Sequence, residues 1–397
     1  MLQTLFAAYN NITFCPPLIG FKSELRVNLS FNLLESMPQL GSDVESFAAD
    51  RNKITRIDKE LPKNSKLTIL SLRLNKLENV PQGISNLPLL TMLLLGGNQI
   101  KTISSEIGML TSLRTLDLSL NMLDHVPGCL QYLRELNKLS LAFNRIKHIP
   151  AWLFILPLLK ILILSGNRIE ELPTEEEVGS AMLQAQNAGN TESKTLNANQ
   201  QQQQNKGNQN NCKSSQGQNL IINQNQNQNY IQNQQKSNSQ SKIPQTRSST
   251  FMDSNFAPQT DSNHKITPSL AESGNIQASP LVHVALSSNR LTQFPSVLLR
   301  FTSLAQLFMA HNAISEVPIK LFHLLPQIVR LDLSFNKIRD ISQIEMPMHI
   351  RAVFFDFSHN RISQLPERVE KMELRMRSLD IKENEEIQAA KEQMEKQ

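Results

Sequence analysis

Residues 67–81 read LTILSLRLNKLENVP and residues 159–173 read LKILILSGNRIEELP. In the first, Leu67, Leu70, Leu72, Leu77 and Val80 hold fixed offsets about Asn75 and end on Pro81. In the second, Leu159, Leu162, Leu164, Ile169 and Leu172 hold the same offsets about Asn167 and end on Pro173. Working outward, the same frame falls on Asn10, Asn32, Asn52, Asn98, Asn121, Asn144, Asn289, Asn312, Asn336 and Asn360. Successive asparagines are 22, 20, 23, 23, 23, 23, 23, 122, 23, 24 and 24 residues apart, so twelve units share one register and one step carries 99 extra residues.

The pattern has a direct physical meaning. A period-2 stretch such as Leu70-x-Leu72 forms one strand with its apolar side chains on one side. A single unit cannot bury that side alone, so successive units stack, and their strands form a parallel sheet over a continuous core. The asparagine lies at the bend leaving the strand, where its amide can both donate to and accept from backbone groups of neighbouring units. Proline follows six residues after the asparagine in nine of the twelve units, with Asp58, Ser104 and Ser342 elsewhere, and turns the chain away from regular helix. The 20-residue step with Ala49 at a core position predicts a tighter turn there. Leu379, Ile381 and Asn384 continue the register as a degenerate thirteenth unit, and a charged tail, 387–397, reads as a solvated helix.

This motif resembles the leucine-rich repeat of 23 residues, and its Leu-Pro step is similar to that of intracellular, Ras-pathway scaffold-type repeat proteins. The resemblance implies an α/β solenoid, a curved horseshoe with a parallel sheet on its concave side. Twelve strands at ~4.8 Å give a sheet about 55 Å across. The expected organisation is repeats 1–8 over residues 1–173, an insertion over 174–279, repeats 9–12 with the capping unit over 280–386, and the tail. The first unit begins at Leu2 without a polar cap, which leaves open that the sequence starts late within a longer chain.

Between Gln184 and Gln245, 33 of 62 residues are Gln or Asn. Such a stretch buries too little apolar area to offset chain entropy, so the insertion is expected to be disordered and to interrupt the solenoid without breaking it. Within it, Arg247-Ser248-Ser249-Thr250, Thr267-Pro268 and Ser279-Pro280 are candidate phosphorylation positions, while GNQNNCKS (207–214) matches a phosphate loop only by chance, since Cys212 stands where glycine belongs and no strand precedes it.

Composition excludes several classes. Forty Lys and Arg against 35 Asp and Glu give +5, without the concentrated basic footprint of a nucleic-acid protein. Three cysteines, Cys15, Cys129 and Cys212, are too few for a disulfide framework or a Cys-based zinc site, which favours a reducing, cytoplasmic setting, with the nucleus also open. The N-terminus MLQTLFAAYNN lacks a basic segment typical of a signal peptide, and the longest apolar run, 151–164, is 14 residues with Pro157 and Lys160 inside it, short of the ~20 that span a bilayer. Eight dispersed histidines form no metal spacing; His311 and His359 stand two units apart, about 10 Å. No catalytic constellation, cofactor motif or small-molecule site emerges.

What remains is a binding face. Side chains between the core positions of each strand point away from the core: Ile69, Met92, Leu94, Ile161, Ile163, Phe308 and Phe354 among apolar residues, and Arg73, Asp117, Lys138, Arg330, Asp332 and Asp356 among charged ones. Apolar residues bordered by charge fit a protein partner on the concave face. Directly after the asparagine a cation recurs in seven units, Lys53, Lys76, Arg145, Arg168, Arg290, Lys337 and Arg361, either a stripe for an acidic partner or a solvated edge. The leading expectation is a non-enzymatic scaffold or adaptor in intracellular signalling. The alternatives are a regulatory subunit of a serine/threonine phosphatase or other signalling enzyme, and the recognition portion of a longer enzyme. Arg351-Ala352-Val353-Phe354-Phe355 fits a phosphatase-docking peptide, but Phe355 falls on a core position.

Overall fold

A computed structural model describes residues 2–57, 60–63, 65–185, 187, 279–345, 354–363 and 379–380. The chain divides into two units, Met1–Gly189 with Asn275–Gln397, and Asn190–Gly274. The second lies outside the described residues, as do the stretch 207–214, Thr267, Cys212, Ile381, Asn384 and the tail.

The first unit is built on thirteen short strands: β1 (Thr4–Phe6), β2 (Leu25–Asn28), β3 (Val44–Ala48), β4 (Ile69–Ser71), β5 (Met92–Leu94), β6 (Thr115–Asp117), β7 (Lys138–Ser140), β8 (Ile161–Ile163), β9 (His283–Ala285), β10 (Gln306–Phe308), β11 (Arg330–Asp332), β12 (Phe354–Asp356) and β13 (Leu379–Asp380). They form one sheet in sequence order, and every neighbouring pair is parallel. The degenerate thirteenth unit keeps register, with Leu379 opposite Phe355. At the short step, pairing of β2 with β3 shifts between Leu25 and Arg26, while Ala49 remains fully buried. The irregularity expected at that step is therefore a register shift within the strand pair.

The core follows the sequence frame. Leu67, Leu70, Leu72 and Leu77 and their equivalents along the chain form one apolar cluster that includes residues of both repeat blocks. Behind the sheet, the chain turns through short 3-10 helices, among them Ser105–Met109, Gly128–Tyr132, Ala151–Ile155 and Ser296–Arg300. Pro127, Pro150 and Pro295 occupy the position before three of these, and Ser104 replaces proline by accepting a hydrogen bond from Glu106 N–H with its side chain. Proline suits that position because its fixed φ starts a turn and no amide donor is missed.

Eleven asparagines form the expected ladder. Each Oδ1 accepts, at 2.9–3.1 Å, from a backbone N–H of the preceding unit, and each Nδ2 donates to carbonyls of its own unit and of the preceding one, as in Asn121 to Leu118 O and Leu95 O. The Asn10 side chain, in the first unit, donates only within its own turn.

Repeats 8 and 9 join directly despite the intervening residues. β8 pairs with β9 from Ile161↔His283 to Ile163↔Ala285, Ile169 N–H donates to Asn289 Oδ1 at 3.1 Å, and Asn289 Nδ2 donates to Leu164 O. Among the described residues, the insertion therefore adds no strand between β8 and β9. Its start differs from expectation: residues 175–185 are helical, where the sequence reading placed disorder from residue 174. Thr174 and Glu177 cap this helix reciprocally, each backbone N–H donating to the other's side chain, and Val178 is buried against the core. A local TxxE signal and one well-placed valine thus extend the folded part beyond Pro173.

Candidate protein-binding face

On the open side of the sheet, away from the core, the strands present two columns of side chains. In the first column, Ile69, Met92, Thr115, Lys138, Ile161 and His283 lie next to one another by strand register; in the second, Ser71, Leu94, Asp117, Ser140, Ile163, Ala285 and Phe308 do so. Ile69, Met92, Ile161, Ile163, Phe308 and Phe354 are half-buried, while Lys138 is exposed. Leu94 departs from the expectation of an accessible contact: only 8% of its surface is exposed, so Met92 is what this strand offers a partner.

The charged members separate into distinct sets. Arg73 Nη2 pairs with Asp117 Oδ2 at 2.9 Å, passing the backbone of Gly96, where a Cβ would stand 3.0 Å from that oxygen. Asp117 Oδ1 also accepts from Ser119 N–H and Oγ–H. Asp50, next to this pair, accepts from Ser71 Oγ–H at 2.6 Å and Arg73 N–H at 2.8 Å, and burial holds its carboxyl above the usual range. Asp332 and Asp356 are adjacent on β11 and β12, each accepting from the serine two residues on. Arg330 lies on β11 beside them in sequence. His283 Nδ1 is 2.9 Å from Gln306 Oε1, and burial lowers the imidazole's proton affinity.

A rim borders this face that the sequence reading missed. The residue before each asparagine has a left-handed backbone, including Tyr9, Phe31, Leu74, Leu120, Phe143 and Phe335, all with φ between 53 and 58°. This conformation costs an ordinary residue roughly 1–2 kcal/mol, and the neighbouring turns over-determine it. Leu74 packs onto Gly97 and Phe143 onto Gly166, where any Cβ would clash with them. Further along, His311, Phe335 and His359 stack, with ring centroids 4.2 and 3.9 Å apart. The two histidines considered as possible metal partners are thus separated by a phenylalanine ring, and among the described residues no cluster of His, Cys, Asp and Glu could hold a metal. The recurrence of large residues immediately before Asn was the available signal.

The seven cations after the asparagines are all exposed, and among the described residues only Arg290 meets a carboxylate, Glu170 at 3.6 Å. Phe355 of the phosphatase-docking match is fully buried on β12, while Arg351, Ala352 and Val353 lie outside the described residues. Among the described residues no helix is long and apolar enough to cross a membrane.

A family model described as leucine-rich repeat matches residues 42–100 and 111–169. No curated protein matches the sequence. Solved structures with the same fold include a leucine-rich repeat protein of Leptospira interrogans, at 22% identity and a TM-score of 0.51, covering 92% of this chain and 76% of that one. YopM from Yersinia enterocolitica matches at 19% identity and 0.52, covering 96% of this chain and 60% of that one. The Arabidopsis receptor kinase HAESA, in complex with the peptide hormone IDA and the co-receptor SERK1, matches at 18% and 0.53, covering 96% of this chain and 50% of that one. At these identities the likeness speaks to fold alone. The repeat frame, the asparagine ladder and the matched segments agree: the described residues fold as stacked leucine-rich repeats, and residues 42–100 and 111–169 match that family's model.

Proposed function

We propose that this chain is a non-enzymatic scaffold or adaptor that takes a protein partner on the open face of its sheet, in an intracellular signalling setting. Leucine-rich repeat folds generally mediate protein–protein interaction. The observation that carries the reading is the set of half-buried apolar side chains, Met92, Ile161, Ile163 and Phe308, on a sheet face whose own strands are fully paired. Such residues gain most when a partner completes their burial, at roughly 25 cal/mol per Å². HAESA, whose structure includes a bound peptide hormone, gives a precedent for ligand capture by this fold. The intracellular setting is supported by Cys15 and Cys129, both unpaired and half-buried.

The test is capture of binding proteins from a lysate by the full chain and by an Ile161→Glu, Ile163→Glu chain. Capture should fall by at least about tenfold, a hot-spot-sized loss, with an unchanged circular dichroism spectrum and melting curve. Undiminished capture by the folded double variant excludes this face.

A further inference from the structure

The sequence presents the centre of the open face as a mixture of signs, Arg73, Asp117 and Lys138. The structure resolves that mixture unequally. Asp117, on β6 next to Lys138, is already committed to Arg73 at 2.9 Å and to Ser119. Asp50 is held by Ser71 and by the Arg73 amide. Lys138 is exposed, and among the described residues no carboxylate lies within ion-pair reach of it. Its register neighbours are Thr115 on β6 and Ile161 on β8. Arg145 and Arg168, exposed just beyond β7 and β8, add charge of the same sign.

The remaining acids of this face are remote. Asp332 and Asp356 sit on β11 and β12, four and five strands from β7. At ~4.8 Å per strand that is about 19 and 24 Å, against a screening length of about 8 Å at physiological salt. Lys138 thus stands as an uncompensated cation beside Ile161, with Ile163 on the same neighbouring strand and Phe308 three strands along the face.

We infer that the partner's contact segment is acidic and apolar together: one carboxylate seats on the Lys138 ammonium, and aliphatic or aromatic side chains cover Ile161, Ile163 and Phe308. This rests on the open-face reading above. Charge complementarity of this kind selects partners by sign, since a like charge placed on Lys138 is repelled in a partly desolvated contact. A polypeptide fits better than a nucleic acid, because the apolar Ile161, Ile163 and Phe308 on the same face give a phosphate backbone nothing to pair with.

A random-peptide display library, selected on the full chain, on a Lys138→Glu chain and on an Ile161→Glu, Ile163→Glu chain, tests it. The intact chain should enrich peptides that place Asp or Glu beside Leu, Ile or Phe. A synthetic enriched peptide should bind the Lys138→Glu chain about tenfold or more weakly, and that chain should enrich Lys or Arg instead. Enriched peptides without acidic residues, or equal binding to the Lys138→Glu chain while the double isoleucine variant loses it, overturn the charge assignment and leave the open-face reading standing. Enriched peptides that bind all three chains alike, or no enrichment at all, overturn both. Binding of a single-stranded oligodeoxynucleotide that depends on Lys138, with no peptide enriched, replaces the polypeptide by nucleic acid. If the glutamate pair prevents folding, Ile161→Thr with Ile163→Thr serves in its place.

Discussion

Asn121→Ala is the sharpest probe of what holds the repeats together. Asn121 is 7% exposed, and its four hydrogen bonds link three segments. Nδ2 donates to Leu95 O, Leu118 O and Ser119 O at 3.0, 3.1 and 3.0 Å, and Oδ1 accepts from Ile100 N–H at 2.9 Å. The three carbonyls keep other donors after truncation: Asn98 Nδ2 on Leu95 O, Asn144 Nδ2 on Leu118 O, and Gly97 N–H on Ser119 O. Only the Ile100 N–H, on a fully buried residue, is left unsatisfied. One orphaned buried donor costs about 1–3 kcal/mol. At roughly 2–4 °C per kcal/mol for a chain of this size, the melting midpoint should fall by about 2–12 °C. Urea titration of Asn121→Ala beside Asn10→Ala isolates the cause, because the Asn10 side chain donates only to Ala7 O and Ala8 O of its own unit, so its loss should stay within about 0.5 kcal/mol. Equal effects of the two substitutions, or an Ile100 amide whose hydrogen exchange is unchanged in Asn121→Ala, refute the ladder as a stabilising device.

Three further outcomes are expected. Deleting residues 190–274 should leave the melting transition cooperative and shift stability by only about 1–2 kcal/mol in favour of folding, because the closed loop shortens; loss of the transition in calorimetry contradicts the direct β8–β9 junction. Burial lowers the His283 pKa in the folded state, so the unfolded chain takes up that proton first: the contribution is full above the usual histidine range and is lost as pH falls below it. His283→Gln should flatten the decline in melting temperature between pH 7.5 and 5.5, and an unchanged slope rules the residue out. Gly166→Ala should destabilise by at least about 1 kcal/mol, since its φ is +70° and a Cβ would meet the Phe143 ring; a neutral melt shows that the rim gives way freely.

Much of this molecule is readable from the chain because its physics is local in a repeated sense. Each unit packs chiefly against its two neighbours, so a register anchored on Asn75 and Asn167 carries over to Asn289 even across the insertion, and even Leu379 falls on its strand. The face residues were also assignable, since alternation along a three-residue strand leaves only two directions for a side chain. What the pattern could not supply is the state of each side chain on that face. Leu94 and Met92 read alike but differ in exposure: Leu94 is buried in a column between Ser71 and Asp117, while Met92 is half-buried in the other. Arg73 and Asp117 are 44 positions apart and lie two units away from each other, meeting across Gly96 only because that unit has no side chain there.

The amino-acid order alone determined that stacked units share one sheet, where each strand begins, and which residues turn from the core, since burial of leucine at fixed intervals permits a single register. Only the assembled structure decided that Asp117 is spent on Arg73, that Lys138 is left uncompensated, and that Phe335 fills the space between His311 and His359. Those outcomes depend on side-chain reach across neighbouring units, a distance in space that separation along the chain does not encode.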